Sequence, residues 1–211
     1  MNARVIAAVV LAAWPAVALA QSPKGATYIT DEQVKTVNAS PGVDRQIVNV
    51  DIGKLNLAVG IIHRGRSGAP AVPAPAGTSA APTPVAEPCG ERTTVAPPAG
   101  TASGIAHEGQ TETYIIVSGA GTLVTGGRIV NGRQSAPESA VTKVLNGPSC
   151  SGPIVGADVV KQVVKTGDII IIPAGVPHGW MEIADHVDYL SVRPDPDRVL
   201  AAGYVNPLIK K

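Results

Sequence analysis

The sequence has very few aromatic residues: it contains no phenylalanine, and Phe, Trp and Tyr together make up 3% of its 211 residues. The hydrophobic fraction nevertheless reaches 45%, chiefly as Val, Ile, Ala and Leu. A chain of this length is expected to form one domain with an ordinary core. Because β-branched side chains pack well on strands, the composition favours an all-β fold and weighs against a helical bundle.

The chain also lacks an excess of either charge. Lys and Arg number 17, Asp and Glu number 16, and removal of the segment that contains Arg4 would leave 16 of each. Nucleic acids and anionic membrane surfaces select proteins with a marked excess of basic residues. We therefore expect no nucleic-acid partner, and we expect a small molecule as the ligand or substrate.

Hydrophobic runs long enough to span a bilayer are absent as well. Residues 1–20 carry Arg4, an apolar run over 5–13 and the small residues Ala18 and Ala20. This pattern predicts a signal peptide that is cleaved after Ala20. The alternative, a membrane anchor, needs about 20 apolar residues, which is more than the run provides. We expect a periplasmic or secreted protein with no membrane span after cleavage.

Cysteine is scarce, and its number is even. Cys89 and Cys150 are the two cysteines of the chain, and neither lies in a CxxC motif. In an exported protein such a pair more often forms a disulfide than a redox or metal site. We expect a Cys89–Cys150 bridge, and two free thiols are the alternative.

The predicted elements describe one domain preceded by an arm. Residues 21–45 are expected to form an N-terminal arm with a short helix, which begins at the capping-box pattern of Thr30 and Gln33. The domain itself is expected over 46–195, where short strands at regular spacing alternate with glycine turns. The strand-like runs are IVNVDI, LNLAVGIIH, ETYIIV, GTLVTG, VVKQVVK, DIIIIP and HVDYLSVR.

Two segments of this chain do not fit the strand pattern. Residues 68–88 hold six prolines among mostly Ala, Gly, Ser and Thr, a composition that cannot pack a core and predicts a surface insertion within the domain. Residues 196–211 are expected to form a C-terminal tail or a short helix started by Asp195 or Asp197.

The stretch GDIIIIPAGVPHGWME, residues 167–182, leads from an apolar strand through a rigid turn to a histidine. Pro173 ends the strand because proline cannot donate to the sheet. Gly175 permits a turn with positive φ. His178 is thereby held in a fixed position, although a single histidine of this kind is more often a satisfied core or edge residue.

A second motif strengthens the functional interpretation. His107 and Glu112 flank a short turn that contains glycine, and a further strand follows. The turn can place the two side chains on neighbouring strands, with His178 arriving from a third strand. Two imidazole nitrogens and one carboxylate oxygen suit a divalent transition metal that keeps open positions for water or substrate.

The stretch from 167 resembles the second motif of the cupin superfamily, G-x5-P-x-G-x2-H. It matches that motif in full, with Gly167, Pro173, Gly175 and His178 at the four defined positions.

The earlier stretch resembles the first cupin motif, G-x5-H-x-H-x4-E-x6-G, from its second histidine onward. His107, Glu112 and Gly119 occupy the matching positions. Ile105 stands where the first histidine of H-x-H belongs. Alternation along a strand keeps Ile105 on the face of His107, so it would bring an apolar group against the metal.

The resemblance implies an all-β fold, a cupin-type antiparallel jelly-roll barrel with short peripheral helices. It also implies that His107, Glu112 and His178 hold a divalent metal, with Fe, Mn, Ni and Zn as the candidates. The loss of one of the usual four ligands weakens that expectation. The alternative is a barrel that keeps the remaining His and Glu as a buried hydrogen-bonded pair.

The function that follows is an exported cupin acting on a small polar molecule, and whether it is an enzyme is left open. Cupins include dioxygenases, isomerases and decarboxylases, and the fold does not choose among them. The alternative is a periplasmic module that binds or senses a small ligand without turnover. A barrel that pairs into a homodimer through an apolar outer sheet face is a further option.

Four more residues are candidates for the pocket. His63 is either a fourth nitrogen ligand or a residue of the rim, and Ile105 is expected against the metal. Tyr114 shares the face of Glu112 and either offers its phenol to a ligand or packs in the core. Trp180 shares the face of His178 and either walls the pocket or fills the barrel.

Overall fold

The computed structural model describes residues 25–68 and 86–209. The predicted signal peptide and all but the ends of the predicted insertion at 68–88 lie outside the described residues. Within the described ranges, no helix is both long enough and apolar enough to cross a membrane.

The described part of the chain is built mainly from antiparallel strands. It has one α-helix, α1 (Asp31–Asn38), and a short π-helical turn at Val141–Leu145. The strands, in chain order, are β1 (Asp44–Asp51), β2 (Asn56–Gly65), β3 (Pro88–Cys89), β4 (Ser103–His107), β5 (Glu112–Thr125), β6 (Arg128–Ile129), β7 (Gly132–Gln134), β8 (Ser149–Val155), β9 (Val160–Lys165), β10 (Ile169–Ile172), β11 (His178–Met181), β12 (His186–Asp195) and β13 (Tyr204–Val205).

The strands form two layers that share the long strand β5. Its first half pairs with β12 and β10, and the first layer continues from β12 through β2 and β1 to β13. Its second half pairs with β9 and β11, and the second layer continues through β4, β8 and β7 to β3. Two antiparallel layers closed by a shared strand make the barrel-like sandwich of a jelly roll. The all-β prediction is confirmed.

One detail of the strand prediction is corrected by β5. The runs ETYIIV and GTLVTG are one continuous strand rather than two, and the turn between them is a bend. Gly119 lies at this bend with φ +72°. A Cβ atom there would stand 2.0 Å from the carbonyl oxygen of His186, so the crossing of the strand between layers requires glycine at this position.

The N-terminal arm contains the predicted helix. Thr30 caps α1, its side chain accepts from the Gln33 amide, and the Gln33 side chain accepts from the Thr30 amide. Val37 on this helix is fully buried against the outer face of the first layer, where Ile47 and Ile61 lie. The first strand begins at Asp44, and the predicted β1–β2 hairpin turns at Gly53.

Of the two alternatives for the C-terminal segment, a tail or a short helix, residues 196–209 agree with the tail. Asp195 accepts hydrogen bonds from the amides of Val199 and Leu200, as a helix cap would. Arg198, however, has φ +54°, a left-handed conformation that stops a helix at its first turn. The chain then pairs as β13 with β1. The described tail is therefore a turn and a short strand.

The disulfide prediction is confirmed, since Cys89 of β3 and Cys150 of β8 are bonded to each other. The bond joins residues separated by 61 positions in the sequence. The bond thereby ties β3 to β8 in the second layer.

The outer surface carries an apolar patch near the edge strand β10. Ile169 and Ile171 are 65% and 69% exposed, and Val163 on β9 is 66% exposed. An exposed apolar sheet face is the feature expected of a surface that pairs with another protein. The homodimer remains a prediction.

Candidate metal centre

Three strands deliver the three predicted ligands to one place. His107 is the last residue of β4, Glu112 is the first of β5, and His178 is the first of β11. The turn before His178 is fixed on the first motif, because the Gly175 amide donates to the His107 carbonyl at 2.7 Å. Gly175 has φ +79°, which the turn following Pro173 requires. The turn therefore fixes the position of His178, and the hydrogen bond to His107 holds the turn itself in place.

The ligand atoms of His107, Glu112 and His178 lie within 4.8 Å of one another, and all three side chains are buried. The distance from Oε2 of Glu112 to Nε2 is 3.1 Å for His107 and 3.0 Å for His178. The second of these contacts lacks hydrogen-bond alignment, so Nε2 of His178 is a buried atom without a hydrogen-bond partner.

The residues of both motifs lie together inside a two-layer antiparallel barrel, and this arrangement identifies the fold. The chain has the cupin fold.

Hydrogen bonds on the far side of each ring fix the tautomers of the two histidines. Nδ1 of His178 lies 3.0 Å from the Val176 carbonyl oxygen, which can only accept. Nδ1 of His107 lies 2.8 Å from Oγ of Ser149, whose own proton goes to the Gly147 carbonyl at 2.9 Å. Both Nδ1 atoms therefore carry the proton in the neutral rings. Both Nε2 atoms present lone pairs to the inside of the cupin barrel.

Two nitrogen lone pairs and a carboxylate oxygen thus face each other at hydrogen-bond distance, an arrangement that calls for a cation between them. Two ligand atoms that are each about 2.1 Å from one ion, at a right angle, are about 3.0 Å apart. The 3.0 and 3.1 Å separations fit this value. The residues present therefore fit a divalent transition metal.

The carboxylate of Glu112 is held from several sides. Arg193 and Ser191 each donate to Oε1 at 2.8 Å. Tyr114 donates its phenol to Oε2 at 2.8 Å. Asn146 donates to Oε1 at 3.2 Å and also faces Nε2 of His107 at 3.2 Å. This carboxylate is fixed in position before any ligand arrives.

Arg193 is the centre of a second, deeper cluster that the sequence analysis did not identify. Its side chain is fully buried and pairs with both Glu112 and Asp44, at 2.8 and 2.6 Å. Its remaining donors reach Gln46 at 3.3 Å and the Leu145 carbonyl at 3.1 Å. Each nitrogen of this guanidinium therefore has a partner inside the barrel.

These contacts shift the pKa values of the buried groups. Burial raises the pKa of Glu112, but the charge of Arg193 and the hydrogen bonds donated to the carboxylate outweigh burial and hold that pKa well below its usual range. Burial lowers the pKa of His107 below its ordinary value. Burial raises the pKa of Asp44, against the opposing charge of Arg193. At neutral pH the centre therefore contains a charged Glu112 and a neutral His107.

We expect the metal-free protein to lose stability as the pH falls from 7.5 to 5.5. The folded-state pKa of His107 lies below its unfolded value of about 6.5. In this range the unfolded chain takes up a proton that the folded chain resists, so acid favours unfolding. Urea unfolding after EDTA treatment measures the loss. A His107→Gln variant should lose less over the same range, and an equal loss would contradict the assignment.

The structure places the predicted pocket residues in two different spaces. Ile105 and Tyr114 line the inner cavity, which has a volume of about 140 Å³ and contains the three ligand side chains. Trp180 packs on the core and donates its indole N–H to the Tyr189 hydroxyl at 3.1 Å. It lines an outer cleft of about 560 Å³ instead.

Of the two alternatives for His63, the structure agrees with a residue of the rim and not with a fourth ligand. Alternation along β2 turns His63 away from the side of Ile62 and Arg64, which line the inner cavity. Its Nδ1 pairs with Asp188 at 2.6 Å, and its side chain lines the outer cleft. The described residues therefore bring together three histidine or carboxylate side chains that could bind a metal, and the apolar Ile105 lines the same cavity.

Comparison with known proteins supports no closer assignment. No protein-family model matches the sequence, and no curated protein matches it. Among solved structures, an uncharacterized conserved protein with a double-stranded beta-helix domain from Klebsiella pneumoniae is 15% identical, covering 82% of this chain and 93% of that chain, with a TM-score of 0.38.

Two further solved structures are similarly distant. A Bacillus halodurans protein is 13% identical over 89% of this chain and 93% of its own, with a TM-score of 0.41. A predicted oxalate decarboxylase from Thermotoga maritima is 13% identical over 72% of this chain and 92% of its own, with a TM-score of 0.30. These likenesses carry no argument about function, which is drawn from the site alone.

Proposed function

We propose that this cupin binds one divalent transition metal through His107, Glu112 and His178 and acts on a small polar molecule. The observation that carries the proposal is the convergence of two Nε2 lone pairs on one carboxylate oxygen in a buried cavity. Fe, Mn, Ni and Zn all accept such a ligand set.

A metal held by three protein ligands would act as a Lewis acid with open positions for substrate. The residues of this chain prepare the site for that role. The Val176 carbonyl and Ser149 hold the imidazoles in the metal-binding tautomer. Tyr114 orients the carboxylate through Oε2, and the burial of all three ligands excludes bulk water.

The location of the protein is a separate proposal from its metal site. The predicted signal peptide would deliver the chain to an oxidising compartment, where a disulfide such as Cys89–Cys150 persists. We propose a periplasmic or secreted location after cleavage behind Ala20.

The second candidate is a non-catalytic module that binds or senses a small ligand. Asn146 favours it, because its amide already donates to both His107 and Glu112. Together with Arg193, this amide satisfies much of the cluster without a metal. Metal retention distinguishes the two functions.

We expect purified protein to bind about one equivalent of Mn, Fe, Ni or Zn. Replacement of His178 with alanine should weaken the affinity at least about 100-fold, since losing even a partner of a ligand costs about 10–100-fold. Elemental analysis after dialysis and calorimetric titration with each ion measure both quantities.

The matched control is His186→Ala, which removes a histidine whose Nε2 faces Ser118 outside the metal centre. It should bind metal like the parent protein. A parent protein that takes up none of the four ions would refute the metal-dependent function. So would equal metal binding by a His107→Ala, His178→Ala double variant.

A further inference from the structure

Arg64 is an inward-pointing arginine without a carboxylate partner. Arg64 is two residues after Ile62 on β2, so both side chains lie on the inward face of the strand. Arg64 lines both the inner cavity and the outer cleft. Its Nε donates to the Tyr189 hydroxyl at 3.0 Å. Its two terminal nitrogens have no hydrogen bond and no ion pair with any residue in the described ranges 25–68 and 86–209.

The hydroxyl of Tyr189, beside Arg64, is a second hydrogen-bond donor without an acceptor among the described residues. It accepts from Arg64 and from the Trp180 indole at 3.1 Å. A phenol has one proton and accepts two hydrogen bonds, so the proton of Tyr189 remains to be donated. This residue is 1% exposed, and an unused donor at that depth is costly. Arg64 and Tyr189 together offer donors and no acceptor.

The charges around the cavity also favour an anionic ligand. Arg64 and Arg193 balance Asp44 and Glu112, so the charged groups of the wall sum to zero. A divalent metal on the proposed ligands would leave a net charge of +2, which attracts an anion. Every nitrogen of Arg193 already donates to a protein oxygen, so Arg193 has less to offer an anion than Arg64. Arg64 is the arginine of the wall with free N–H groups.

The cavity also limits the size of the ligand. Its volume of about 140 Å³ is below the range of about 300–1,000 Å³ that is usual for drug-sized ligands, which favours a small molecule. Its wall is rigid here, since the rings of Tyr114 and Tyr189 pack with centroids 4.3 Å apart. The phenol of Tyr114 donates to Glu112. Arg64 and Tyr189 therefore line the same small cavity as the proposed metal ligands.

We infer that Arg64 and Tyr189 form a carboxylate-binding subsite, and that the ligand of this cupin is a small organic acid of about two to four carbons. The inference rests on the proposed metal-binding function for the role of that acid as substrate. The donor pair itself is present without the metal. A guanidinium that faces a carboxylate forms strong, charge-assisted hydrogen bonds.

Acetate and acetamide test the subsite because they have the same size and differ in charge. We expect acetate to raise the melting temperature of EDTA-treated protein at constant ionic strength, and acetamide to have no effect. Arg64→Gln should weaken acetate binding about 10-fold or more. Tyr189→Phe should weaken it several-fold. Arg66→Gln, an exposed neighbour that lines only the outer cleft, should bind acetate like the parent.

Circular dichroism confirms that each variant is folded, and Arg64→Lys keeps the charge while removing the fork of donors. Intermediate acetate binding by Arg64→Lys supports the subsite. Equal binding of acetate and acetamide, or acetate binding that is unchanged in Arg64→Gln, overturns it.

The same titration on zinc-treated protein separates the two proposals. If neither zinc nor any of the other three candidate ions binds but acetate binding depends on Arg64, the subsite stands and the metal function fails. If zinc binds but acetate binding does not depend on Arg64, the metal function stands and the subsite fails.

Discussion

Replacement of Arg193 with methionine should lower the free energy of unfolding of the metal-free protein by about 3–5 kcal/mol, because it leaves the buried carboxylate of Glu112 and the largely buried carboxylate of Asp44 without their cation. Glu112 and Asp44 both pair with this guanidinium, whose side chain is 1% exposed. Methionine preserves much of the buried volume, so the loss reports mainly the unpaired charges. Urea unfolding followed by circular dichroism measures it.

The control is Arg128→Met, which breaks an ion pair with Glu91 in which both side chains are about half exposed. Its effect should stay below about 1 kcal/mol, because solvent screens exposed pairs. Adding Asp44→Asn to Arg193→Met should recover part of the loss, since one of the unpaired charges disappears. A loss at Arg193 as small as that at Arg128 would show that the buried cluster does not depend on its cation.

Acidification gives an independent check on the same cluster. Without Arg193, burial is the main influence on Glu112 and Asp44, and it raises the pKa of each carboxyl group. The folded variant should then hold protons more strongly than the unfolded chain. Its stability relative to the parent should therefore improve as the pH falls toward about 4.

The sequence contains enough information to predict that His107, Glu112 and His178 converge, but not the cluster around Arg193. His107 and Glu112 are five residues apart, and a rigid turn fixes His178. Local spacing and the motif match therefore predict that the three side chains converge. The contact between Arg193 and Glu112 spans 81 positions and depends on β12 lying beside β5. No local pattern encodes which strands become neighbours.

A weaker signal for the missed residues was nevertheless present. In HVDYLSVR, alternation puts Arg193 on the same face as Val187 and Tyr189, both of which are buried. Arg64 likewise follows Ile62 at the inward parity of β2. An arginine on the buried face of a strand needs hydrogen-bond partners or a ligand. Arg64 and Arg193 could therefore be predicted as site residues from the sequence, although their partners could not.

The sequence left a tail or a short helix open for the C-terminal segment, and contacts with distant residues favour the tail. Asp195 makes the contacts of a cap to Val199 and Leu200, which is what its sequence position indicates. Arg198 donates to Asp51 and to the Gly53 carbonyl, and these distant contacts hold it in the left-handed conformation. Tertiary contacts therefore outweigh the local preference at this segment.

Removal of the disulfide should lower the free energy of unfolding by about 2–4 kcal/mol. In the chain-entropy account, a bond across 61 positions restricts the unfolded chain by about 4 kcal/mol, and measured effects are often smaller. The closed segment contains β4 and the whole of β5. The Cys89→Ser, Cys150→Ser double variant, compared with the oxidised parent by urea unfolding, measures the loss.

Reductant provides the matched control for this experiment. Dithiothreitol should lower the unfolding midpoint of the parent toward that of the double variant, and it should leave the double variant unchanged because that variant has no thiols. Ser149 adjoins Cys150 and accepts from His107, so the bond also supports a residue that orients a proposed metal ligand. We therefore expect reduction to weaken zinc binding as well as stability. A parent protein whose midpoint does not respond to reductant would contradict a stabilising bridge.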